Sequence, residues 1–248
     1  MKIANGVEML SLSFQAGGHN LVIHPVVIYD EEQMVLIDTG FPGSRELILK
    51  QISEAGLSPE KLDAIILTHQ DIDHIGSLPE FLSNSSNRPE IYAHKEDQPY
   101  IEGEKPLIKL SPERRDLLMG LLSEQDQTQF ERIFSPESGA NINVLVEEGQ
   151  TLSFGGGLTV IETPGHTPGH ISLYHSPSQT LIAGDAMTII QDKISGPNPG
   201  NTPDMSTAMK SVSKFLEFPV QNVICYHGGF KNTDVQEQIA KLALQHES

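Results

Sequence analysis

Apolar and polar positions alternate in short blocks along this chain, and the blocks change period several times. Residues 7–14, 22–29 and 34–38 are rich in branched apolar side chains over strand lengths and predict three strands. Pro42, Gly43 and Ser44 then form a turn into a helix over Arg45–Glu54, which Gly56 stops. Ser58 and Pro59 carry helix-start chemistry, residues 64–68 predict a buried strand, residues 75–82 a helix and Glu90–His94 another strand. From 95 to 135 the strand rhythm lapses. Ser111 and Pro112 open an amphipathic helix through Leu117, Leu118, Leu121 and Leu122, so this stretch reads as a helical insertion. Strands resume at 143–147, 158–163, 171–174 and 180–183, followed by a helix over 204–216, a strand at 222–226 and a closing helix from about Thr233. Pro and Gly crowd residues 195–203, which predicts one long surface loop.

Strands with helices both interspersed and flanking predict an α/β protein of two packed sheets covered by outer helices, with the chemistry on loops at one edge. No repeat, low-complexity tract or linker divides residues 1–248, so a single domain is expected.

Charge narrows the partners. Sixteen Lys and Arg stand against 33 Asp and Glu, a formal net charge of −17, and tight nucleic-acid binding needs the opposite sign. The first twenty residues never assemble a signal-length apolar run and no later window approaches a membrane span, so a cytoplasmic protein without a membrane partner is expected. Cys225 is the only cysteine, which excludes an internal disulfide and a thiolate metal cage. Ten histidines in so acidic a chain direct attention to metal ligands instead.

Thr68-His69-Gln70-Asp71-Ile72-Asp73-His74-Ile75-Gly76 follows the apolar run AIIL and precedes a helix, putting four ligand-type side chains in six residues. Taken alone it is a polar turn with a helix-capping Asp. Four further polar residues also sit at strand ends: Asp38 in LIDTG, His166 in ETPGHTPGH, Asp185 in LIAGDA and His227 in VICYHGG. Any one of them is ordinarily a cap or a half-buried histidine, but their repetition in order points to a shared centre.

This series resembles the five motifs of the metallo-β-lactamase superfamily, from Asp38 to His227. The resemblance implies an αβ/βα sandwich of four layers. It also implies two divalent metal ions, one held by His69, Asp71 and His166, the other by Asp73, His74 and His227, with Asp185 bridging. Asp38 matches an aspartate that orients the metal loop through hydrogen bonds, and Asp73 also matches a position able to assist proton transfer. One position departs from the family's HxHxDH pattern, since Asp71 stands where the second histidine belongs. That carboxylate adds negative charge and hardness, moving preference from zinc toward iron or manganese. Two ions about 3.5 Å apart share a hydroxide and aim it at a carbonyl or phosphoryl centre. The implied activity is hydrolysis of a small-molecule ester, lactone or thioester, nearest in general character to lactonase-like enzymes. Glyoxalase II-like enzymes carry a basic C-terminal helical extension, whereas 21 residues follow His227 here. The leucine-bearing insertion is read either as the roof of an acyl pocket or as a helix packed on the core. The rival readings are a di-iron oxidoreductase or oxygenase on the same fold, and a non-catalytic homologue that binds metal.

The remaining groups carry weaker signals. Thr167, Pro168 and Gly169 argue against a helical pairing of His166 with His170, which leaves His170 a supporting role. His24 and His94 lie on strand-like segments, His19, His175 and His246 lack a partner signal, and Cys225 is expected to pack in a strand. Tyr226 and residues 198–202 are candidates to touch substrate. The sequence leaves the oligomeric state open.

Overall fold

Alternation along the strands sorts apolar side chains into three layers. In Met34–Ile37 every residue is buried, yet Val35 and Ile37 pack with Val26, Ile28, Ile66, Leu158, Val160, Leu173 and Ile182, while Leu36 packs with Ile48, Ile52, Ile65 and Ile91. The first set is the seam between two sheets; the second lies between a sheet and its helices. A third layer joins Leu181 and Val223 to Val212, Phe215, Ile239 and Leu242 on the far side of the second sheet. Helix, sheet, sheet and helix therefore stack in four layers, in this computed structural model describing residues 1–16, 19–83, 88–138 and 141–245.

The first sheet runs in the order Lys2–Ala4, Val7–Met9, Val26–Tyr29, Met34–Ile37, Ala64–Ile66, Glu90–His94, Val144–Val146. It is antiparallel as far as Met34–Ile37 and parallel beyond. The second runs Thr151–Leu152, Leu158–Glu162, Ile171–His175, Thr180–Ile182, Asn222–Cys225, Gly229–Lys231, with one parallel pair, Thr180–Ile182 beside Asn222–Cys225. Helix Arg45–Glu54 buries Ile48 and Ile52, one turn apart, against the first sheet. Helices Met205–Ser213 and Val235–Leu244 cover the second. Asp204 caps the former, its carboxylate accepting from Thr207 N at 2.9 Å.

Several sequence expectations are corrected. The run 7–14 is two strands, Val7–Met9 and Leu12–Ala16, because Leu10 N turns aside to Pro25 O. Residues 75–82 belong to two short helices, Ile72–Ile75 and Leu78–Ser83. The expected long loop at 195–203 begins inside a hairpin, Thr188–Ile190 with Lys193–Ser195, and contains a single turn of 3-10 helix at Pro199–Asn201. Between strands Glu90–His94 and Val144–Val146 lie helices Gln98–Ile101, Pro112–Met119 and Glu124–Ile133. Phe130 and Ile133 anchor the last of these, whereas Pro112–Met119 buries nothing, with Leu117 69% exposed. Its leucines are therefore not packed on the core. No helix among the described residues is long and apolar enough to cross a membrane.

Candidate metal centre

Five loops leave strand ends on one edge of the sandwich and together deliver the polar residues singled out above. Asp38 follows Met34–Ile37, residues 69–74 follow Ala64–Ile66, and His166, Asp185 and His227 follow Leu158–Glu162, Thr180–Ile182 and Asn222–Cys225. The structure gathers the metal-type donors into two groups: His69, Asp71, His166 and Asp185 in one, and Asp73, His74 and His227 in the other. In the first, Asp71 Oδ2 lies 3.3 Å from His69 Nε2 and 3.0 Å from His166 Nε2. In the second, Asp73 Oδ2 lies 3.2 Å from His227 Nε2 and 3.8 Å from His74 Nε2. Asp185 touches both, with Oδ2 3.2 Å from His166 Nε2 and 3.5 Å from His227 Nε2, and Oδ1 3.4 Å from His74 Nε2.

These spacings suit a shared ion. Nitrogen and oxygen donors around a tetrahedral divalent metal bond at about 2.0–2.2 Å, which sets neighbouring donors about 3.3–3.5 Å apart. The buried atoms His69 Nε2, His74 Nε2 and Asp185 Oδ1 have no hydrogen-bond partner. Leaving such an atom unsatisfied costs about 1–3 kcal/mol each, and here all three belong to the two donor groups. The residues thus fit divalent metal with a nitrogen and oxygen donor set.

The imidazoles of His69, His74 and His166 are held from behind so that Nε2 faces inward. Asp38, at φ 62°, accepts from Thr68 N and Thr68 Oγ1, both at 2.8 Å, and lies 2.8 Å from His74 Nδ1. Because Thr68 Oγ1 gives its proton to Asp38, it accepts from His69 Nδ1 at 3.0 Å. Thr202 Oγ1 donates to Asn198 O at 2.8 Å and so accepts from His166 Nδ1 at 3.1 Å. These bonds assign the protons to Nδ1 and leave the Nε2 lone pairs free for a ligand. His170 stays outside both groups: its Nε2 accepts from Asp185 N at 3.0 Å and its Nδ1 meets Thr163 Oγ1 at 2.8 Å.

Two supports had no sequence signal for the role they play. Asp97, fully buried, accepts from Gln70 N, Gln70 Nε2, Thr167 Oγ1 and Gly169 N, tying the 69–74 loop to the 166–169 loop. Tyr226, offered above as a substrate contact, is buried instead. Its ring stacks on His74 with centroids 3.8 Å apart and its hydroxyl donates to Asp73 O at 2.5 Å. His24 bonds Leu10 O, His94 pairs with Glu162 and His175 bonds Gly155 O and Ser178, and none of the three belongs to either donor group. Cys225 is buried in its strand, and burial pushes its thiol upward. His246 lies outside the described residues.

Close backbone approach fixes the His166 loop. Gly165 has φ +126°, and a Cβ there would lie 2.3 Å from Ala208 N and 2.5 Å from Ala208 Cα. Gly165→Ala is expected to destabilise the protein by about 2–4 kcal/mol, from a conformation costly to L residues plus a backbone clash. Urea unfolding measures this, and a loss below about 1 kcal/mol contradicts a rigid loop.

Charge at the centre is finely opposed. Burial would lower His74, but Asp38, Asp73 and Asp185 hold it well above the usual histidine range. Against burial, Asp185 and Asp73 raise His227 to about 10, and Asp185 and Asp71 raise His166. Burial would likewise raise Asp71 and Asp185, yet the neighbouring histidines hold both carboxyls well below the usual range. Burial lowers His69 and, further, His170.

A cavity of about 270 Å³ opens onto Asp71 and Asp73, walled by Leu107, Leu110, Leu117, Leu121 and Lys109. A second cavity, of about 680 Å³, reaches His227, with Leu21, Ile189, Met205 and Met209 in its wall. Lys109, unmarked in the sequence, extends from the first wall to 2.5 Å from Asp71 Oδ2 and 2.6 Å from His166 Nε2.

Residues 21–227 match the family model of the metallo-beta-lactamase superfamily, and the chain belongs to that superfamily. It is similar to the probable metallo-hydrolase YflN of Bacillus subtilis, 31% identical over 229 residues that cover 86% of this chain and 84% of that protein. It is also 28% identical over 198 residues to the hydroxyacylglutathione hydrolase of Pectobacterium atrosepticum, covering 77% of this chain and 55% of that enzyme. Among solved structures, a metallo-beta-lactamase family protein from Thermus thermophilus superposes with a TM-score of 0.70 at 22% identity, over 99% of this chain and 81% of that one. The architecture is the metallo-beta-lactamase fold. Membership of the superfamily implies divalent metal, and the metallo-hydrolase relatives support a hydrolase.

Proposed function

We propose that the protein is a binuclear metal-dependent hydrolase of small-molecule esters, lactones or thioesters bearing an apolar acyl group. His69, Asp71 and His166 hold one ion, Asp73, His74 and His227 the other, and Asp185 serves both. The observation that carries this reading is Asp185, whose two oxygens face histidines of both donor groups. When bound, the two ions supply Lewis acidity and a water acidified enough to attack near neutral pH. The chain's own residues do the rest. Asp38, Thr68 and Thr202 orient the imidazoles, and Asp73, which lines the cavity, carries a proton from the attacking water toward the leaving group. The leucine wall seats the acyl chain and excludes water from it. The hydroxyacylglutathione hydrolase relative supports an acyl substrate over a phosphodiester, as does the net charge of −17 against nucleic acid. The hard carboxylate of Asp71 favours iron or manganese beside zinc.

Turnover of lactones, esters, thioesters and phosphodiesters by protein loaded separately with zinc, iron(II) and manganese tests the proposal. Hydrolysis of an acyl substrate with an apolar chain is expected. Oxygen consumption without hydrolysis in the iron form would replace it with redox chemistry.

Metal binding is also expected to release protons. At pH 7 His227, raised to about 10, is protonated, and against burial Asp38, Asp73 and Asp185 hold His74 raised as well. Ligation needs their lone pairs, so apparent affinity rises by about tenfold per pH unit for each displaced proton until that group's pKa is passed. Without metal the sign is opposite for stability: protonated His227 stabilises the fold below its ordinary value of 6.5, and that contribution is lost as pH rises through about 10. Calorimetric titration in two buffers of different ionisation enthalpy counts the protons, and a buffer-independent heat at pH 7 contradicts the expectation.

A further inference from the structure

Lys109 lies where the first metal group has its donors. Its ammonium is 2.5 Å from Asp71 Oδ2 and 2.6 Å from His166 Nε2, and its side chain is only 15% exposed. With its proton on Nδ1, His166 has one lone pair at Nε2, which an ammonium N–H or a metal ion can take, but not both. An ion bonded to these two atoms at about 2.0–2.2 Å would press its charge directly against the ammonium. The segment is tied in place: Ile108 N donates to Gln70 Oε1 at 2.9 Å, so residue 70 of the metal loop itself sets the position of Lys109. The second group shows nothing comparable, because among the described residues no Lys or Arg pairs with Asp73 or Asp185, and the inward nitrogens of His74 and His227 meet only carboxylates.

We propose that Lys109 is an internal competitor for the first metal site, so that the two sites fill unequally and the first takes an ion only when Lys109 withdraws toward the cavity. The inference rests on the binuclear reading above. It also gives a reason for Asp71. A carboxylate at that position can accept an ammonium as well as a metal, whereas a neutral imidazole at the matching position of the family pattern has one lone pair to offer. Asp71 and Lys109 then form one device, in which a lysine charge stands in for a metal charge.

Stepwise titration of the chelator-treated full chain with zinc alone, followed by calorimetry and elemental analysis, tests this in wild type, Lys109→Met, Lys109→Gln and Lys109→Arg. If Lys109 holds the site in about nine molecules of ten, wild type shows one tight and one weaker step, and Lys109→Met or Lys109→Gln strengthens the weaker step about tenfold. The tight step should move less than about twofold, since competition acts on one site alone. Lys109→Arg keeps the cation and should keep the weaker step weak. A second equivalent bound only after Lys109 is neutralised also supports competition. Two steps unchanged in both neutral variants overturn the role of Lys109 and leave the binuclear reading intact. A weaker step that falls in both neutral variants makes Lys109 a support of the site and overturns competition. No second equivalent in any of the four proteins overturns both.

Discussion

Asp185→Asn lowers kcat/KM by about three orders of magnitude, because a metal contributes several kcal/mol of charge stabilisation and each 1.36 kcal/mol is a factor of ten. The substitution keeps the size of the side chain but replaces one of two oxygens by an amide nitrogen and removes the charge. Those oxygens lie within 3.2–3.5 Å of His74, His166 and His227, so both donor groups are damaged together. The loss should appear in kcat and be accompanied by metal content below that of wild type, with far-ultraviolet circular dichroism unchanged. A loss under tenfold with full metal content contradicts the assignment of Asp185.

Metal removal should be nearly as conspicuous in stability. A ligand at about a thousand times its Kd stabilises the folded state by about 4 kcal/mol, and a chain of this size gains about 2–4 °C in Tm per kcal/mol. Chelator-treated protein is therefore expected to melt on the order of 10 °C below the loaded form. The difference arises locally, from the partnerless atoms His69 Nε2, His74 Nε2 and Asp185 Oδ1 and from the carboxylates crowded around them. Differential scanning calorimetry in excess zinc and in chelator measures it. Melting temperatures within about 2 °C of each other speak against metal as a structural partner.

What could be read from the sequence follows from how local its cause is. Helix Arg45–Glu54 and strand Glu90–His94 are set by their own turn residues and branched side chains, and both have the predicted bounds. The hairpin Thr188–Ile190 with Lys193–Ser195 was hidden, because its turn places Gln191 and Asp192 at positive φ without the Asn-Gly or Gly signal such turns usually carry. The polar residues at strand ends were legible because parallel and mixed sheets place loops at one edge, and the order of motifs along the chain maps onto that edge. Thr202, Asp97 and Lys109 were not legible in these roles. Each acts by reaching across the fold, 36 residues from His166, 27 from Gln70 and 38 from Asp71, and nothing in their neighbouring sequence marks the partner. The leucines at 117 and 121 illustrate the converse: their spacing was plain, yet spacing alone does not say whether an apolar stripe meets the core or a cavity.

The most direct measurement is anomalous diffraction from crystals grown with excess zinc, collected on both sides of the zinc absorption edge. Two peaks are predicted. One should be bonded to His69, Asp71 and His166, with Lys109 displaced, the other to Asp73, His74 and His227, with Asp185 reaching both. Peaks elsewhere on the molecule, with Asp185 bound to neither ion, would contradict the account.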